Sequence, residues 1–252
     1  MRRINIVLEK LKNDGIWLTY IAIQKYFIHR LIYKRMLQRN TLQERFSEIY
    51  EKNIWGSGES LSGEGSEIEY TKPLRSWLVK AIPKYQISKF VDAPCGDFNW
   101  MRLVLPEVDV EYYGYDIVES VVSKNKEVYS DKNIHFGVAN ICKDELPKCD
   151  LLMVRDCLFH LSYEDINKFL DNIIKVDYKY LLTTTHILDK DFVNKNIDTG
   201  DFRLIDLFSE PFNFRNETTI ELVNDSPKGC NIPPRQMILI AKENVPNSIN
   251  IV

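Results

Sequence analysis

The chain has 252 residues, 44% of them hydrophobic and 27% charged, with a net charge of −3, which is enough for one sizeable core of catalytic dimensions. An aromatic content of 12% and so small a net charge exclude a disordered chain, and no collagen-like, low-complexity or coiled-coil bias is present. Five cysteines (Cys95, Cys142, Cys149, Cys157 and Cys230) form neither a CxxC pair nor a dense framework, so free thiols in a reducing, cytoplasmic compartment are expected and a metal site is not.

The charge is unevenly spread. Residues 1–40 carry nine Lys and Arg against Glu9 and Asp14, a net +7, and the rest of the chain carries −10. Residues 1–54 read as a basic helical extension, with Leu18, Ile21, Ile28 and Ile32 near helical spacing among Lys25, Arg30, Lys34 and Arg35. The apolar stretch 16–23 stops at Gln24 and Lys25, well short of the roughly 20 residues of a spanning helix, and no small-residue cleavage pattern follows it. Two uses fit the extension. It packs on the body or on a second subunit, leaving monomer and homodimer both open, or it makes a peripheral contact with an anionic membrane surface or polyanion.

Residues 55–70 form a Gly/Ser-rich loop. Four glycines and four serines fall within 55–66, a composition that supports neither helix nor central strand. Trp55 and Tyr70 at its ends suit a lid closing over a ligand, with a simple connector as the alternative. The spacing is not that of a nucleotide P-loop.

From residue 71 to 252 the pattern is regular. A helix is predicted over Pro73–Ile82, a strand over Lys89–Asp92 and a helix over Asn99–Leu105. A second strand, Val110–Asp116, precedes a helix over Ile117–Val128, and a third strand covers Ile134–Val138. The fourth, Asp150–Arg155, is apolar enough to be central. A helix over Tyr163–Val176 and a fifth strand over Tyr180–Thr185 complete the alternation. Thr218–Val223 and Gln236–Ala241 leave no room for a crossover helix, so they pair antiparallel. The fold class is α/β, a Rossmann-like, doubly wound, mostly parallel seven-stranded sheet with an antiparallel C-terminal edge.

Ligands of such sheets bind beyond the carboxyl ends of the strands. That places Asp92–Asp97, Asp116, Asn140, Arg155, Asp156 and His186 at the site. A dinucleotide fingerprint is poorly supported, because only Gly96 of its glycines is present, whereas Asp116 ends the second strand where an acid can hold both hydroxyls of a ribose.

The segment Phe90-Val-Asp-Ala-Pro-Cys-Gly-Asp-Phe-Asn-Trp-Met101 resembles motif I of the class I S-adenosylmethionine-dependent methyltransferases. Tyr113–Ile117, Phe136–Ile141 and Cys149–Leu161 resemble their next three motifs in order, so that the likeness covers roughly residues 70–242. The resemblance implies S-adenosylmethionine as cofactor and S-adenosylhomocysteine as product. It sets Asp92, Ala93, Pro94, Cys95 and Gly96 beside the methionine part, Asp116 on the ribose, and Ile117, Asn140 and Ile141 on the adenine. Arg155 comes beneath the cofactor, and Trp55 is a candidate to stack on adenine. Pro94 replaces the usual first glycine, Phe98 stands where a third would be, and Asn140 replaces the more usual acid.

Methyl transfer needs a positioned acceptor and, for a hydroxyl, a base. His186 is the first candidate, His160 with Asp156 the second. The segment from Trp55 through Met101 also resembles methyltransferases associated with bacterial surface polysaccharides, which implies O-methylation of a small carbohydrate or phosphorylated acceptor in capsule or O-antigen synthesis. An acidic body without an RNA-binding module disfavours nucleic acid. An RNA or protein methyltransferase and a non-catalytic cofactor-binding scaffold remain as alternatives.

Overall fold

In the computed structural model, residues 34–55, 57–227 and 234–250 are described; the expected amphipathic stretch around 16–32 and Cys230 lie outside them. The chain divides into two compact units, 1–40 and 41–252. Within the first, residues 34–37 are helical. The second begins earlier than the boundary at 54 read from composition.

Its elements are α1 (Leu42–Glu51), α2 (Ile68–Lys84), β1 (Lys89–Asp92), β2 (Glu111–Asp116), α3 (Glu119–Tyr129), β3 (Ile134–Val138), β4 (Cys149–Val154), α4 (Tyr163–Ile173), β5 (Tyr178–His186), β6 (Thr219–Asn224) and β7 (Arg235–Ala241). The seven strands form one sheet in the order β3-β2-β1-β4-β5-β7-β6. Pairings from β3 to β5 are parallel, and β7 runs antiparallel to both β5 and β6. The C-terminal hairpin therefore inserts its second strand and leaves β6 at the edge.

Alternate residues of the central strands feed two cores, one per face. Val91, Leu152, Val154 and Leu181 pack with Ile166, Phe169, Leu170 and Ile173 of α4. Phe90, Leu151, Met153 and Leu182 pack with Leu74, Leu78 and Ile82 of α2. Every residue of β4 is buried, as its continuous apolar run requires when helices cover both faces. Between β5 and β6 no α-helix forms, only a 3₁₀ turn at Asn216–Thr218. Residues 187–218 cross as irregular chain and bury Ile205, Leu207, Phe212 and Phe214 in the first core, so four apolar side chains do the covering that a helix face does elsewhere.

Two predicted helices differ from the observed ones. α2 starts at Ile68 rather than Pro73, so Pro73 lies inside it. The Thr71 hydroxyl donates to the Glu67 carbonyl at 3.0 Å and Arg75 Nη2 to that of Ile68 at 2.9 Å, holding the first turn together from its side chains. No α-helix follows motif I; two 3₁₀ turns, Met101–Leu103 and Leu105–Glu107, take its place. Phe98 sits at φ +59° just before them, and Pro106 lies in the second, and both oppose regular helix. No described helix is long and apolar enough to cross a membrane, and among the described residues no cluster of His, Cys, Asp and Glu could hold a metal ion.

Candidate active site

A cavity of about 380 Å³ opens at the carboxyl ends of β1, β2 and β4, roofed by α1 and by the Gly/Ser-rich loop. Because β7 is antiparallel, its first residue, Arg235, pairs with the last residue of β5, His186, and reaches the same end of the sheet. The roof follows from local sequence. Thr41 caps α1 by accepting from Glu44 N while Glu44 Oε2 accepts from Thr41 N, a capping box. The α1 side chains Leu42, Phe46 and Tyr50, spaced i, i+4, i+8, then face the cavity together.

The carboxylates at the tips of β1 and β2 are both buried. Asp116 Oδ2 accepts from Gly96 N at 3.0 Å and Oδ1 from Val118 N at 2.9 Å, which leaves a lone pair on each oxygen for a ligand hydroxyl. Burial pushes this carboxyl up to about 6, against the pull of those backbone amides. Asp92 accepts from the Tyr112 hydroxyl at 2.8 Å through Oδ2. Its Oδ1 is buried with no partner, and burial raises the group to about 8. A buried carboxylate oxygen without a donor on a cavity wall fits the ammonium of an amino acid moiety, and two spare acceptors at Asp116 fit a diol. The pair matches what S-adenosylmethionine carries at its two ends.

Of the other residues assigned to the cofactor, Trp55, Pro94, Cys95, Gly96, Ile117, Asn140, Ile141 and Arg155 line the cavity. Ala93 does not; it is buried, and its N–H donates to the Met153 carbonyl at 3.0 Å. Asn140 Oδ1 already accepts from Cys142 N at 2.9 Å, so it has one lone pair left for a ligand. Phe98, at the third glycine position, takes up the left-handed conformation a glycine would adopt and buries its ring among Tyr112, Tyr129 and Phe136.

The Gly/Ser-rich loop is fastened to motif I by Asp97. Its carboxylate accepts from Ser60 Oγ at 2.9 Å and from Leu61 N at 2.9 Å. Ser62 Oγ accepts from Asp97 N at 3.0 Å and bonds the Tyr50 hydroxyl. Gly96, at φ +57°, is required here, because a Cβ would fall 2.3 Å from Ser62 Oγ.

Two arginines and two acids meet where Arg155, Asp156 and Arg235 line the cavity. Arg155 donates to Asp225 through Nε and Nη2, each at 3.0 Å, and to the Gly65 carbonyl at 2.7 Å. Its guanidinium lies 5.3 Å from the Trp100 ring centroid. Asp156, at φ +52°, accepts from Arg235 Nη1 at 2.7 Å and faces Arg155 Nη1 at 3.2 Å. Against the cost of burial, the two arginines hold Asp156 below the usual carboxylate range, so it is an ionised group and a poor proton acceptor.

The two histidines part here. His160 lines the cavity. Its Nδ1 donates to the Asp201 carbonyl at 2.8 Å, which fixes the neutral tautomer with Nε2 unprotonated. Burial lowers its pKa, so it is neutral at pH 7. His186 is 2% exposed and lies outside the lining. Ile205 N donates to its Nδ1 at 3.2 Å, and burial followed by the Arg235 charge pushes it down to about 4. The residue expected first as base is thus held against the backbone of the 187–218 crossover, with His160 at the cavity in its stead.

Arg235, Tyr50, Ser62 and Phe202 were not singled out from sequence, yet they line the cavity; Tyr70, expected at the end of a lid loop, supports Arg235, whose Nε donates to its hydroxyl at 3.0 Å. A Cβ on Gly65 would lie 2.6 Å from Asp156 Oδ2 and 2.8 Å from Arg235 Nη2. Gly65→Ala is expected to push that pair apart, weakening acceptor KM about tenfold while S-adenosylhomocysteine affinity, measured by calorimetry, stays within about twofold; one displaced charge-assisted hydrogen bond accounts for that size.

No family model matches the chain. Among curated proteins it is 28% identical over 203 residues to the phosphoethanolamine N-methyltransferase of Plasmodium falciparum, an alignment spanning 79% of this chain and 70% of that protein. Among solved structures it resembles PigF with S-adenosylhomocysteine, with TM-score 0.56 and 13% identity over 90% of this chain and 73% of that one. It also resembles human N-acetylserotonin methyltransferase in complex with S-adenosylmethionine, with TM-score 0.53 and 14% identity over 93% and 69% of the two chains. The chain has the class I S-adenosylmethionine-dependent methyltransferase fold.

Proposed function

We propose that this S-adenosylmethionine-dependent methyltransferase acts on a small phosphorylated or carbohydrate acceptor, methylating a hydroxyl group, in surface-polysaccharide synthesis. The observation that carries the chemistry is His160, whose Nδ1 is tied to the Asp201 carbonyl so that Nε2 is the free basic atom at the cavity wall. S-adenosylmethionine, when bound, supplies an electrophilic methyl group on a positive sulfur and leaves as neutral S-adenosylhomocysteine.

Asp92 would hold the amino group of the cofactor, Asp116 its ribose, and Ile117, Asn140, Ile141 and Trp55 its adenine. At the acceptor, His160 Nε2 would take the hydroxyl proton, leaving the oxygen as the nucleophile toward the methyl group that the cofactor supplies. Trp55, 5.4 Å from the His160 ring, and the docked Gly/Ser-rich loop exclude water. A phosphorylated acceptor is supported by Arg235 at the cavity and by the name of the Plasmodium falciparum relative. That name also favours a second reading, transfer to an amine of a phosphorylated molecule, for which His160 would take the ammonium proton. The polysaccharide setting rests on the likeness of residues 55–101 to enzymes of that setting.

The test is methyl transfer from isotopically labelled S-adenosylmethionine to sugars, sugar phosphates and phosphoethanolamine, with the product carbon shift separating O-methyl from N-methyl. Turnover of sugar phosphates alone supports the first reading and turnover of phosphoethanolamine alone the second. Labelling confined to RNA or protein would overturn both.

A further inference from the structure

Arg155 and Arg235 both line the cavity and both face Asp156, and they are not equivalent. Arg155 is committed. Asp225, 0% exposed, takes its Nε and Nη2; the Gly65 carbonyl takes a further Nη2 hydrogen; and Nη1 faces Asp156. Arg235 is committed on one side only. Nη1 donates to Asp156 and Nε to the Tyr70 hydroxyl, while Nη2 makes no hydrogen bond among the described residues. Its guanidinium carbon lies 4.5 Å from the Tyr70 ring centroid, so the plane is held by a partner that leaves the Nη edge open. The glycine at 65 keeps that edge clear, since any Cβ there would stand 2.8 Å from Nη2.

Asp156 occupies the place an incoming anion would take, and it can give that place up. Without Arg235 it still faces Arg155 Nη1 at 3.2 Å, accepts from Thr184 Oγ1 at 3.3 Å, and fixes its own backbone by donating N–H to Thr184 Oγ1 at 2.8 Å. An exchange of Asp156 for an external anion on Arg235 therefore leaves no buried carboxylate unpaired, which is the condition that makes most such exchanges costly.

We infer that Arg235 is the specificity-determining residue for the acceptor, gripping a phosphate group through its Nη1 and Nη2 edge and so selecting phosphorylated molecules over neutral ones. The inference rests on the phosphorylated-acceptor reading above and assigns its recognition to one side chain. A planar guanidinium offers two parallel donors to a phosphate, which a lysine ammonium at the same place does not.

The experiment is calorimetric titration of the full chain, saturated with S-adenosylhomocysteine, with inorganic phosphate against a chloride baseline of equal ionic strength. Wild type, Arg235→Gln and Arg235→Lys are compared, and S-adenosylhomocysteine affinity is measured for each. Phosphate is expected to bind wild type, to weaken at least tenfold in Arg235→Gln and less in Arg235→Lys, with cofactor-product affinity within about twofold throughout. Equal phosphate affinity in wild type and Arg235→Gln would overturn the inference and leave the phosphorylated-acceptor reading standing. No phosphate binding by wild type would overturn both. Loss of S-adenosylhomocysteine affinity in Arg235→Gln and Arg235→Lys together would also overturn it, since the arginine would then be shaping the cavity.

Discussion

Replacing Asp116 with alanine is expected to weaken S-adenosylmethionine and S-adenosylhomocysteine binding by about 10²- to 10⁴-fold. Two hydroxyl hydrogen bonds to one ionised carboxylate are at stake, each worth about 1.5–3 kcal/mol. Gly96 N and Val118 N, which donate to this carboxylate at 3.0 and 2.9 Å, lose their acceptor as well, so the motif I loop is no longer tied to β2. The same residue gives binding a pH dependence. Burial raises the Asp116 pKa to about 6, and only the ionised form accepts from both hydroxyls, so affinity falls as pH drops below about 6, by up to about tenfold per unit. In the ligand-free protein the sign is opposite. A carboxyl whose folded pKa lies above its unfolded value of about 3.9 contributes stability at low pH that is lost as pH rises through about 6. Asp92, raised to about 8, extends that loss upward. Both buried acids therefore cost the empty protein stability at neutral pH. Calorimetry from pH 5 to 8, with NAD as a non-binding control, checks the affinity; unchanged binding by Asp116→Ala would place the ribose elsewhere.

The sheet was legible because its strands end in chemistry and alternate with helical periodicity. Phe90–Asp92 and Tyr112–Asp116 end in an acid and Leu151–Val154 is an apolar run followed by Arg155, so β4 could only be central. The insertion of β7 between β5 and β6 was not read from the sequence, although the continuous apolar run Met237–Ile240 of β7 against the polar alternation of β6 carries it. That one fact of topology also hid Arg235. Reading sites from the carboxyl ends of strands passes over the start of an antiparallel strand, which reaches the same end of the sheet. His186 stands at a strand tip, as sequence placed it, but the 187–218 crossover folds over it, and an irregular segment held by scattered apolar side chains has no period to read. The roof was half visible. Glycine and serine content marked 55–66 as a ligand loop or connector, while the serine hydroxyls that fasten it to Asp97 depend on a contact across 35 residues or more of chain. α1, grouped by charge with the basic extension, belongs by its contacts to the catalytic unit.

His160→Asn is expected to lower kcat by about 10²- to 10⁴-fold on a hydroxyl acceptor, the span ordinarily assigned to a positioned general base, with S-adenosylhomocysteine affinity nearly unchanged. The asparagine keeps a donor for the Asp201 carbonyl, which His160 Nδ1 now reaches at 2.8 Å, so the 3₁₀ turn Leu158–His160 stays in place. That turn is independently held: Gly200 N donates to the His160 carbonyl at 2.7 Å, Arg203 N to that of Phe159 at 3.1 Å, and Arg203 Nη2 to that of Leu158 at 3.1 Å. The variant thus removes the basic atom with little else. Burial holds the His160 pKa below its ordinary value, so kcat of the wild type should be flat through neutral pH and fall only as the ring takes up a proton in acid. That acid limb should vanish from the residual activity of His160→Asn. His186→Asn provides the contrast. With Nδ1 bound to Ile205 N and the ring outside the cavity lining, it is expected to lower the melting temperature and leave the pH profile of kcat where it was. A profile unchanged in His160→Asn but shifted in His186→Asn would return the base to the end of β5. It would also mean that residues 187–218 move aside when the acceptor binds.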